Sequence, residues 1–278
     1  MTHSRYIQAN DGTELYVKDW GSGRPVVFSH GWPFNADMWD DLANELAERG
    51  FRVVSYDRRG FGRSAQPWNG YDFDMLADDL SAILNKRDLT SVTLVGYSMG
   101  GGDIVRYLSR HGSKRIAQLA LIGTIVAGLP KSPANPQGLD GSMFDEIKQA
   151  IRSDRARFMA SVVKDVIYDP ELTSSHPVTQ EVLEWSNVMA MQVCQRALLA
   201  CVDTFGRTDF RNELPGINVP TLLLHGTADK PVPIDASARP AAKLLPNAKL
   251  IEYEGTSHGL IVTERDRVLA DLLQFLKT

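Results

Sequence analysis

The stretch TLVGYSMGGGD, residues 93–103, places Ser98 between Gly96 and Gly100 directly after an apolar run. The pattern G-x-S-x-G, in the right context, forms a sharp turn from a strand into a helix and presents its serine at the end of the strand. Here "SVTLVGY" has the apolar, β-branched character of a buried strand, and "MGGGDIVRYLSRHG" continues as a helix. Glycine suits the flanking positions because a Cβ would collide in so tight a turn. We therefore predict that Ser98 lies at a strand-to-helix turn.

The segments on either side of this turn predict an α/β fold. Apolar, β-branched runs alternate with amphipathic helical patterns, as in a mostly parallel, doubly wound sheet. The predicted strands are "PVVFSHGW", "FRVVSYD", "SVTLVGYS", "IAQLALIGT", "VPTLLLHG" and "AKLIEYEG", and the predicted helices are "NADMWDDLANELAERG", "DFDMLADDLSAILNKRD" and "DASARPAAKLL". At the N-terminus, "YIQANDGTELYVKDW" predicts a hairpin around Asp11 and Gly12 that forms an antiparallel edge.

The alternation of strands and helices stops after residue 124. The next segment begins with the Pro, Gly and Ser rich "AGLPKSPANPQGLDGS". Helical patterns then cover residues 144–167, 178–191 and 193–205. We interpret residues 125–212 as a helical cap inserted into a core of residues 1–124 and 213–278. The cap is predicted to cover the carboxyl ends of the strands, where open α/β sheets bind ligands.

Composition and charge narrow the class of partner. The chain has 278 residues, of which 43% are apolar, and its 30 Lys and Arg against 34 Asp and Glu give a net charge of −4. No basic block indicates a nucleic acid or an anionic membrane surface. No uncharged run reaches the roughly 20 residues of a membrane span, and the N-terminus lacks the apolar region of a signal peptide. We predict a cytoplasmic protein whose partner is a small molecule.

The two cysteines predict neither a disulfide nor a metal site. Cys194 and Cys201 are spaced about 10 Å along a helical pattern, farther apart than a disulfide allows, so we expect free thiols in a reducing compartment. No cysteine or histidine spacing matches a metal site.

A serine hydroxyl becomes a good nucleophile when a base takes its proton and a third group orients the base. "TLLLHGTADKPVP" places Asp229 just after one strand, and "LIEYEGTSHGL" places His258 just after the next, which gives the chain order Ser, Asp, His. Asp235 and Asp209 are rival acids, but Asp235 resembles a helix cap and Asp209 precedes its strand. We predict Ser98, His258 and Asp229 as nucleophile, base and acid. No catalytic role is predicted for the other histidines. We interpret His225 as a structural residue at a strand end, His111 as a residue at a helix C-terminus, His176 as a surface residue of the cap and His3 as part of a loose terminus.

The loop "HGW" after the strand "VVFS" predicts an oxyanion hole. In this arrangement one backbone N–H comes from that loop and the other from the residue after the nucleophile. We assign these two donors to the backbones of Trp32 and Met99.

One motif matches a cofactor-binding pattern in its residues but not in its sequence context. Residues 60–65, GFGRSA, match the dinucleotide fingerprint G-x-G-x-x-A and follow a strand. Pro67 and "WNGYD" follow where a helix N-terminus would have to receive the pyrophosphate. We therefore predict no nicotinamide cofactor.

The segments "SHGWP", "DRRGFGRS", "GYSMGGGD", "HGTAD" and "TSHG", at these spacings, resemble the α/β-hydrolase superfamily. Within it they resemble the bacterial arylesterases and the cofactor-free, non-haem chloroperoxidases, or perhydrolases. The resemblance covers nearly the whole chain. It implies a serine esterase that acts on small aryl and alkyl esters through an acyl-enzyme and needs neither a cofactor nor a metal. It also implies a possible homo-oligomer, because relatives of this kind often form homo-oligomers. It implies a structural role for the loop of residues 57–64.

The same resemblance implies a second activity. Hydrogen peroxide can replace water as acceptor of the acyl group, and the resulting peracid from a short carboxylic acid then oxidises halide. Proline at position 33 is typical of the perhydrolase members, and it restricts the direction of the Trp32 carbonyl, which could accept a proton from peroxide. We predict that Trp32 and Pro33 set the selectivity for peroxide; the alternative is a proline that only stabilises a turn.

Other functions on this fold stay open from the sequence. Lactonases, C–C hydrolases and non-catalytic ligand receptors can share the architecture. Haloalkane dehalogenases and epoxide hydrolases need a carboxylate nucleophile, and Ser98 stands at that position.

Overall fold

Eight strands form one mixed sheet in the computed structural model, which describes residues 4–172 and 174–277. The strands are β1 (Tyr6–Gln8), β2 (Glu14–Gly21), β3 (Arg24–Ser29), β4 (Phe51–Tyr56), β5 (Val92–Tyr97), β6 (Ile116–Ile122), β7 (Thr221–Gly226) and β8 (Ala248–Tyr253). Their order across the sheet is β1-β2-β4-β3-β5-β6-β7-β8. β1 and β2 pair antiparallel, and β3 to β8 run parallel. The predicted α/β class and the antiparallel hairpin edge are confirmed.

Helices cover the sheet in the same described part of the chain. They are α1 (Asp40–Glu48), α2 (Phe73–Lys86), α3 (Met99–His111), α4 (Gly141–Ser161), α5 (Gln180–Met191), α6 (Gln195–Arg207), α7 (Ala238–Leu244), α8 (Leu260–Thr263) and α9 (Arg265–Leu276). All residues of β5 and β7 are buried, which explains why these strands are continuous apolar runs rather than alternating patterns.

The order of the strands creates a crevice beside β3. Val27 in β3 pairs with Val54 in β4 on one side and with Leu94 in β5 on the other. From β3 the chain continues to β4 on one side of β3 and then crosses to β5 on the other side, after which β6, β7 and β8 follow in order. Ligands of open α/β sheets bind outside the carboxyl ends of the strands at such a switch point. The loop with Trp32 follows β3 and Ser98 follows β5, so both flank this crevice.

Among the described residues between β6 and β7 lie the α-helices α4, α5 and α6, a π-helical segment, Val162–Tyr168, and a short 3-10 helix, Leu214–Gly216. α4 is kinked at Asp154, where φ is −153° and ψ is 89°, and the Asp154 carboxylate accepts a hydrogen bond from the Arg157 amide to start the next turn. The division into a core and a cap of residues 125–212 stays a prediction.

Two local predictions from the sequence are corrected. Asp235 does not cap α7, because the N-cap of that helix is Ser237. The Asp235 carboxylate instead forms an ion pair with Arg239 at 2.9 Å. Cys194 is not inside a helix but caps α6, where its Sγ accepts a hydrogen bond from the Ala197 amide at 3.4 Å. Cys194 and Cys201 are free cysteines.

Candidate active site

Ser98 occupies a strained turn between β5 and α3. Its backbone angles, φ of 53° and ψ of −118°, lie in a region that residues other than glycine rarely adopt. A Cβ on Gly96 would lie 2.8 Å from the Gly100 carbonyl, and a Cβ on Gly100 would lie 2.3 Å from the Ser29 oxygen. The two glycines therefore permit the turn, and the surrounding structure holds Ser98 in a conformation associated with functional sites.

The structure brings Ser98, His258 and Asp229 into one line of contacts. His258 Nε2 lies 3.0 Å from Ser98 Oγ, and His258 Nδ1 lies 2.7 Å from Asp229 Oδ2. All three residues are buried. The other carboxylate oxygen, Oδ1, accepts a hydrogen bond from the Val232 amide at 2.8 Å. A carboxylate acceptor at Nδ1 fixes that nitrogen as the donor and leaves Nε2 to face the hydroxyl.

The surroundings of Asp229 keep it ionised. Burial alone would raise the pKa of its carboxyl, but the facing His258 and the hydrogen bonds from His225 and His258 lower that pKa below its ordinary value. A carboxylate that stays charged can stabilise an imidazolium on His258.

Contacts that the sequence did not reveal hold His258 in place. The Tyr97 hydroxyl donates to the His258 carbonyl oxygen at 3.0 Å, and the two rings pack with centroids 4.9 Å apart. Burial, and then the charge of Asp229, raise the pKa of Tyr97 well above its ordinary value, so its hydroxyl keeps the proton that it donates. On either side of His258, the Ser257 hydroxyl donates to the Tyr168 carbonyl at 3.2 Å and the Gly259 amide donates to the Ile167 carbonyl at 2.7 Å. The π-helical segment thus anchors the loop that carries the histidine.

Trp32 and Met99 lie beside Ser98. Both residues line the same cavity as Ser98 and His258. Met99 is the first residue of α3, and the first four amides of a helix have no acceptor within the helix. The peptide bond between Trp32 and Pro33 is cis, and the Trp32 ring packs edge-on against Phe205 with centroids 5.8 Å apart. The oxyanion roles of the two amides stay a prediction.

A buried polar cluster supports the loop that carries Trp32. His30 Nε2 accepts a hydrogen bond from the Arg58 amide at 3.0 Å, and the Arg58 guanidinium pairs with the buried Asp103 carboxylate of α3. Burial, followed by the charge of Arg58, lowers the pKa of His30 well below its ordinary value, so His30 is neutral. The HG dipeptide in the sequence was the only signal for this role of His30.

The loop of residues 57–64 has a structural role here. Asp57 Oδ1 accepts from the Ala36 amide at 2.9 Å, and Oδ2 accepts from the Arg63 amide at 2.8 Å. A Cβ on Gly62 would lie 2.4 Å from Asp57 Oδ2. The next helix, α2, begins only at Phe73, so no helix N-terminus follows the fingerprint-like segment.

The alternative acids and the other histidines that the structure describes each have partners of their own. Asp209 pairs with Arg211, as Asp235 does with Arg239. His111 ends α3 and pairs with Asp78 at 2.7 Å. His225 was expected to be structural but lies next to Asp229, which the sequence did not indicate. His3 lies outside the described residues.

The cavity beside Ser98 is almost entirely apolar. Its volume is about 370 Å³, within the usual range for small-molecule sites. The lining side chains come from the loops after the strands, from α4, from the π-helical segment and from α6. They include Ile125, Leu129, Leu139, Met143, Phe144, Ile147, Phe158, Val162, Val166, Ile167, Phe205, Pro231 and Val232. Lys230 also lines it, and its ammonium pairs with Asp169 at 2.6 Å.

Among residues 4–172 and 174–277, no three His, Cys, Asp or Glu side chains are grouped as metal ligands would be. In that same part of the chain, no helix is both long and apolar enough to span a membrane.

A serine at a strand-to-helix elbow, with an acid and a histidine after later strands, is the site arrangement of the α/β hydrolases. The family model described as alpha/beta hydrolase fold matches residues 24–264, and the chain belongs to this family. It is 42% identical over 268 residues to the non-heme chloroperoxidase CPO-A1 of Kitasatospora aureofaciens, a match that covers 96% of this chain and 97% of the relative.

Two further proteins that are similar to this chain have names that refer to esterase, perhydrolase or bromoperoxidase activity. The bifunctional esterase/perhydrolase DCH of Acinetobacter calcoaceticus is 36% identical over 98% of this chain and 99% of its own. The crystal structure of bromoperoxidase from Bacillus anthracis superimposes with a TM-score of 0.92 at 36% identity, covering 98% of this chain and 99% of that one. The predicted resemblance to this family is confirmed.

Proposed function

We propose that this protein is a serine hydrolase that cleaves small aryl and alkyl carboxylic esters and also transfers the acyl group to hydrogen peroxide. The observation that carries the proposal is the line of contacts from Ser98 Oγ through His258 to Asp229, in the wall of an apolar cavity. The names of the relatives, esterase/perhydrolase and non-heme chloroperoxidase, support the same pair of activities.

In the first half-reaction, Ser98 Oγ attacks the ester carbonyl carbon while His258 Nε2 accepts the hydroxyl proton. Asp229 accepts the hydrogen bond from Nδ1–H and stabilises the imidazolium that forms. The bond between the carbonyl carbon and the alcohol oxygen then breaks, and His258 returns the proton to the departing alcohol. The product is an acyl group bonded to Ser98 Oγ.

The oxyanion of each tetrahedral intermediate would be bound by the Trp32 and Met99 amides. Such preorganised donors act where water is excluded, and removing one donor in other serine hydrolases costs about a hundredfold to a thousandfold in rate. Both residues border the cavity next to Ser98, which supports this assignment.

In the second half-reaction, water or hydrogen peroxide attacks the acyl carbon and gives its proton to His258. The bond from the acyl carbon to Ser98 Oγ breaks, and Oγ takes the proton back. Water yields the carboxylic acid, whereas hydrogen peroxide yields the peracid. The peracid transfers one oxygen to halide, which with one proton gives hypohalous acid and the carboxylic acid. No cofactor takes part in these steps.

The cavity supports uncharged substrates. Its lining is apolar apart from Ser98, His258 and Lys230, and the Lys230 charge is paired with Asp169. Burying an unpaired charge among such side chains is costly, so we expect aryl and short alkyl acyl groups to react faster than acyl groups that carry a carboxylate. The predicted cytoplasmic location and homo-oligomer stay predictions from the sequence.

The test is a panel of p-nitrophenyl esters of increasing acyl length, assayed with and without hydrogen peroxide. We expect ester hydrolysis by the wild type, peracid formation when peroxide is added, and neither activity in Ser98→Ala. Binding of esters without turnover would instead favour the ligand-receptor alternative. Turnover of lactones but not of open-chain esters would favour a lactonase.

A further inference from the structure

His225 is a buried histidine in contact with the Asp229 carboxylate, and the mechanism above does not use it. It lies in β7, four residues before Asp229, and its side chain is fully buried. Its Nε2 atom lies 2.8 Å from the Val232 carbonyl oxygen and 3.3 Å from Asp229 Oδ2. The same Oδ2 atom accepts from His258 Nδ1 at 2.7 Å.

These contacts fix the tautomer of His225. A carbonyl oxygen can only accept, so Nε2 must carry the proton. The other ring nitrogen, Nδ1, is buried and has no hydrogen-bond partner among the described residues. A second proton there would be an unsatisfied buried donor, so the ring is held in the neutral Nε2–H form.

Both backbone polar groups of Val232 form hydrogen bonds with residues in or beside the triad. Its carbonyl accepts from His225, and its amide donates to Asp229 Oδ1 at 2.8 Å. The Nε2 atom of His225 therefore lies within 3.3 Å of both the Val232 carbonyl oxygen and Asp229 Oδ2, and each carboxylate oxygen of Asp229 has a neighbour that restricts its rotation.

We propose that His225 is a positioning residue for the catalytic acid: its Nε2–H joins the Val232 carbonyl to Asp229 Oδ2 and fixes the direction in which Oδ2 faces His258. This inference rests on the proposed function, because it assigns a role within the same triad. Without the shared N–H, Asp229 keeps its partner at Oδ1 but can rotate, and the orientation of the His258 imidazole loosens with it.

Two substitutions separate the hydrogen bond from the packing of the ring. His225→Gln carries an amide N–H at a comparable distance along the side chain, whereas His225→Leu fills the space without a donor. For one p-nitrophenyl ester we expect His225→Leu to lower kcat on the order of tenfold, the effect of one hydrogen bond, with little change in KM. His225→Gln should restore most of kcat. A folded His225→Leu protein with the kcat of the wild type, or equal losses in both variants, would overturn the proposal.

A measurement on the wild type keeps the proposal testable if His225→Leu does not fold. ¹⁵N NMR of labelled histidines distinguishes Nε2–H from Nδ1–H rings, and we expect the Nε2–H form at His225. An Nδ1–H or doubly protonated His225 would contradict the inference. If the wild type hydrolyses no ester, the proposed function fails, whereas the NMR result still decides the tautomer and the contact.

Discussion

The Nε2 atom of His258 lies 3.0 Å from the Oγ atom of Ser98, although 160 positions separate the two residues in the chain. Ser98 follows β5 and His258 follows β8, with β6 and β7 between these strands in the sheet. The imidazole passes close to Gly123 after β6, where a Cβ would lie 3.3 Å from His258 Nδ1. The loop after β8 thus returns across the carboxyl edge of the sheet and delivers a base to the nucleophile.

The pH dependence of kcat/KM should show a single protonation in acid. His258 must be neutral to accept the Ser98 proton, so the rate falls as the pH falls. The pKa of Asp229 is lowered below its ordinary value, so this carboxylate stays charged over the acid limb and adds no second proton to it. We expect an acid limb with the slope of one proton, measured from kcat/KM against pH. A two-proton limb would contradict the described state of Asp229.

Asp229→Asn should leave the fold intact and lower kcat by roughly ten-thousandfold, as for the acid of another serine triad. The amide cannot hold the correct tautomer of His258. Asp209→Asn is the matched control, because Asp209 pairs with Arg211 away from the triad. A larger loss in the control than in Asp229→Asn would show that the acid is misassigned.

Pro33→Leu should shift the ratio of perhydrolysis to hydrolysis toward hydrolysis by several-fold. Pro33 limits the backbone freedom of Trp32, whose carbonyl is proposed to accept a proton from bound peroxide, and one hydrogen bond changes a rate by that amount. Peracid and carboxylic acid formed from one acyl donor are measured in both proteins, with Ser98→Ala as the blank and with added chelator, which should have no effect. An unchanged ratio removes the role of Pro33 in selectivity and leaves the esterase intact.

Gly100→Ala should destabilise the protein by about 1–3 kcal/mol, because the added Cβ would lie 2.3 Å from the Ser29 backbone oxygen. It should also lower kcat, since the same turn holds Ser98. Gly141→Ala is the matched control at the first residue of α4, where a Cβ meets no atom within 4 Å. We expect the control to change the free energy of unfolding by no more than about 0.5 kcal/mol. Equal urea midpoints for the two variants would contradict the crowding at Gly100.

Local patterns explain what could be predicted from the sequence. The buried strands are continuous apolar runs, and the elbow around Ser98 is set by glycines two positions away, so both are visible in short segments. Asp229 and His258 could be placed because each directly follows a predicted strand. The six parallel strands, β3 to β8, and the antiparallel hairpin edge were predicted from such local patterns.

The remaining features of the site depend on contacts between distant segments. The bond from Tyr97 to the His258 carbonyl spans 161 positions, and the bond from Ser257 to Tyr168 spans 89. His225 is close in sequence to Asp229, but only the return of the loop to Val232 brings its Nε2 atom to the carboxylate. Apolar periodicity in residues 144–167 indicated a helix, yet it could not distinguish the kinked α4 from the π-helical segment that follows.

Removing the nucleophile is the simplest kinetic test of the mechanism. Ser98→Ala should lower kcat for ester hydrolysis by a factor on the order of a million, as in other serine triads. The fold should survive, since only one hydroxyl is removed. Circular dichroism and thermal unfolding check the fold, and a folded variant with substantial activity would exclude Ser98 as the nucleophile.

Covalent labelling with a fluorophosphonate tests most directly whether Ser98 is an activated nucleophile. Intact-mass measurement and peptide mapping of the wild type should show one adduct, located on Ser98, and Ser98→Ala should remain unlabelled. His258→Ala should label far more slowly, because no base then takes the serine proton. An unlabelled wild type, or an adduct on another residue, would contradict the account.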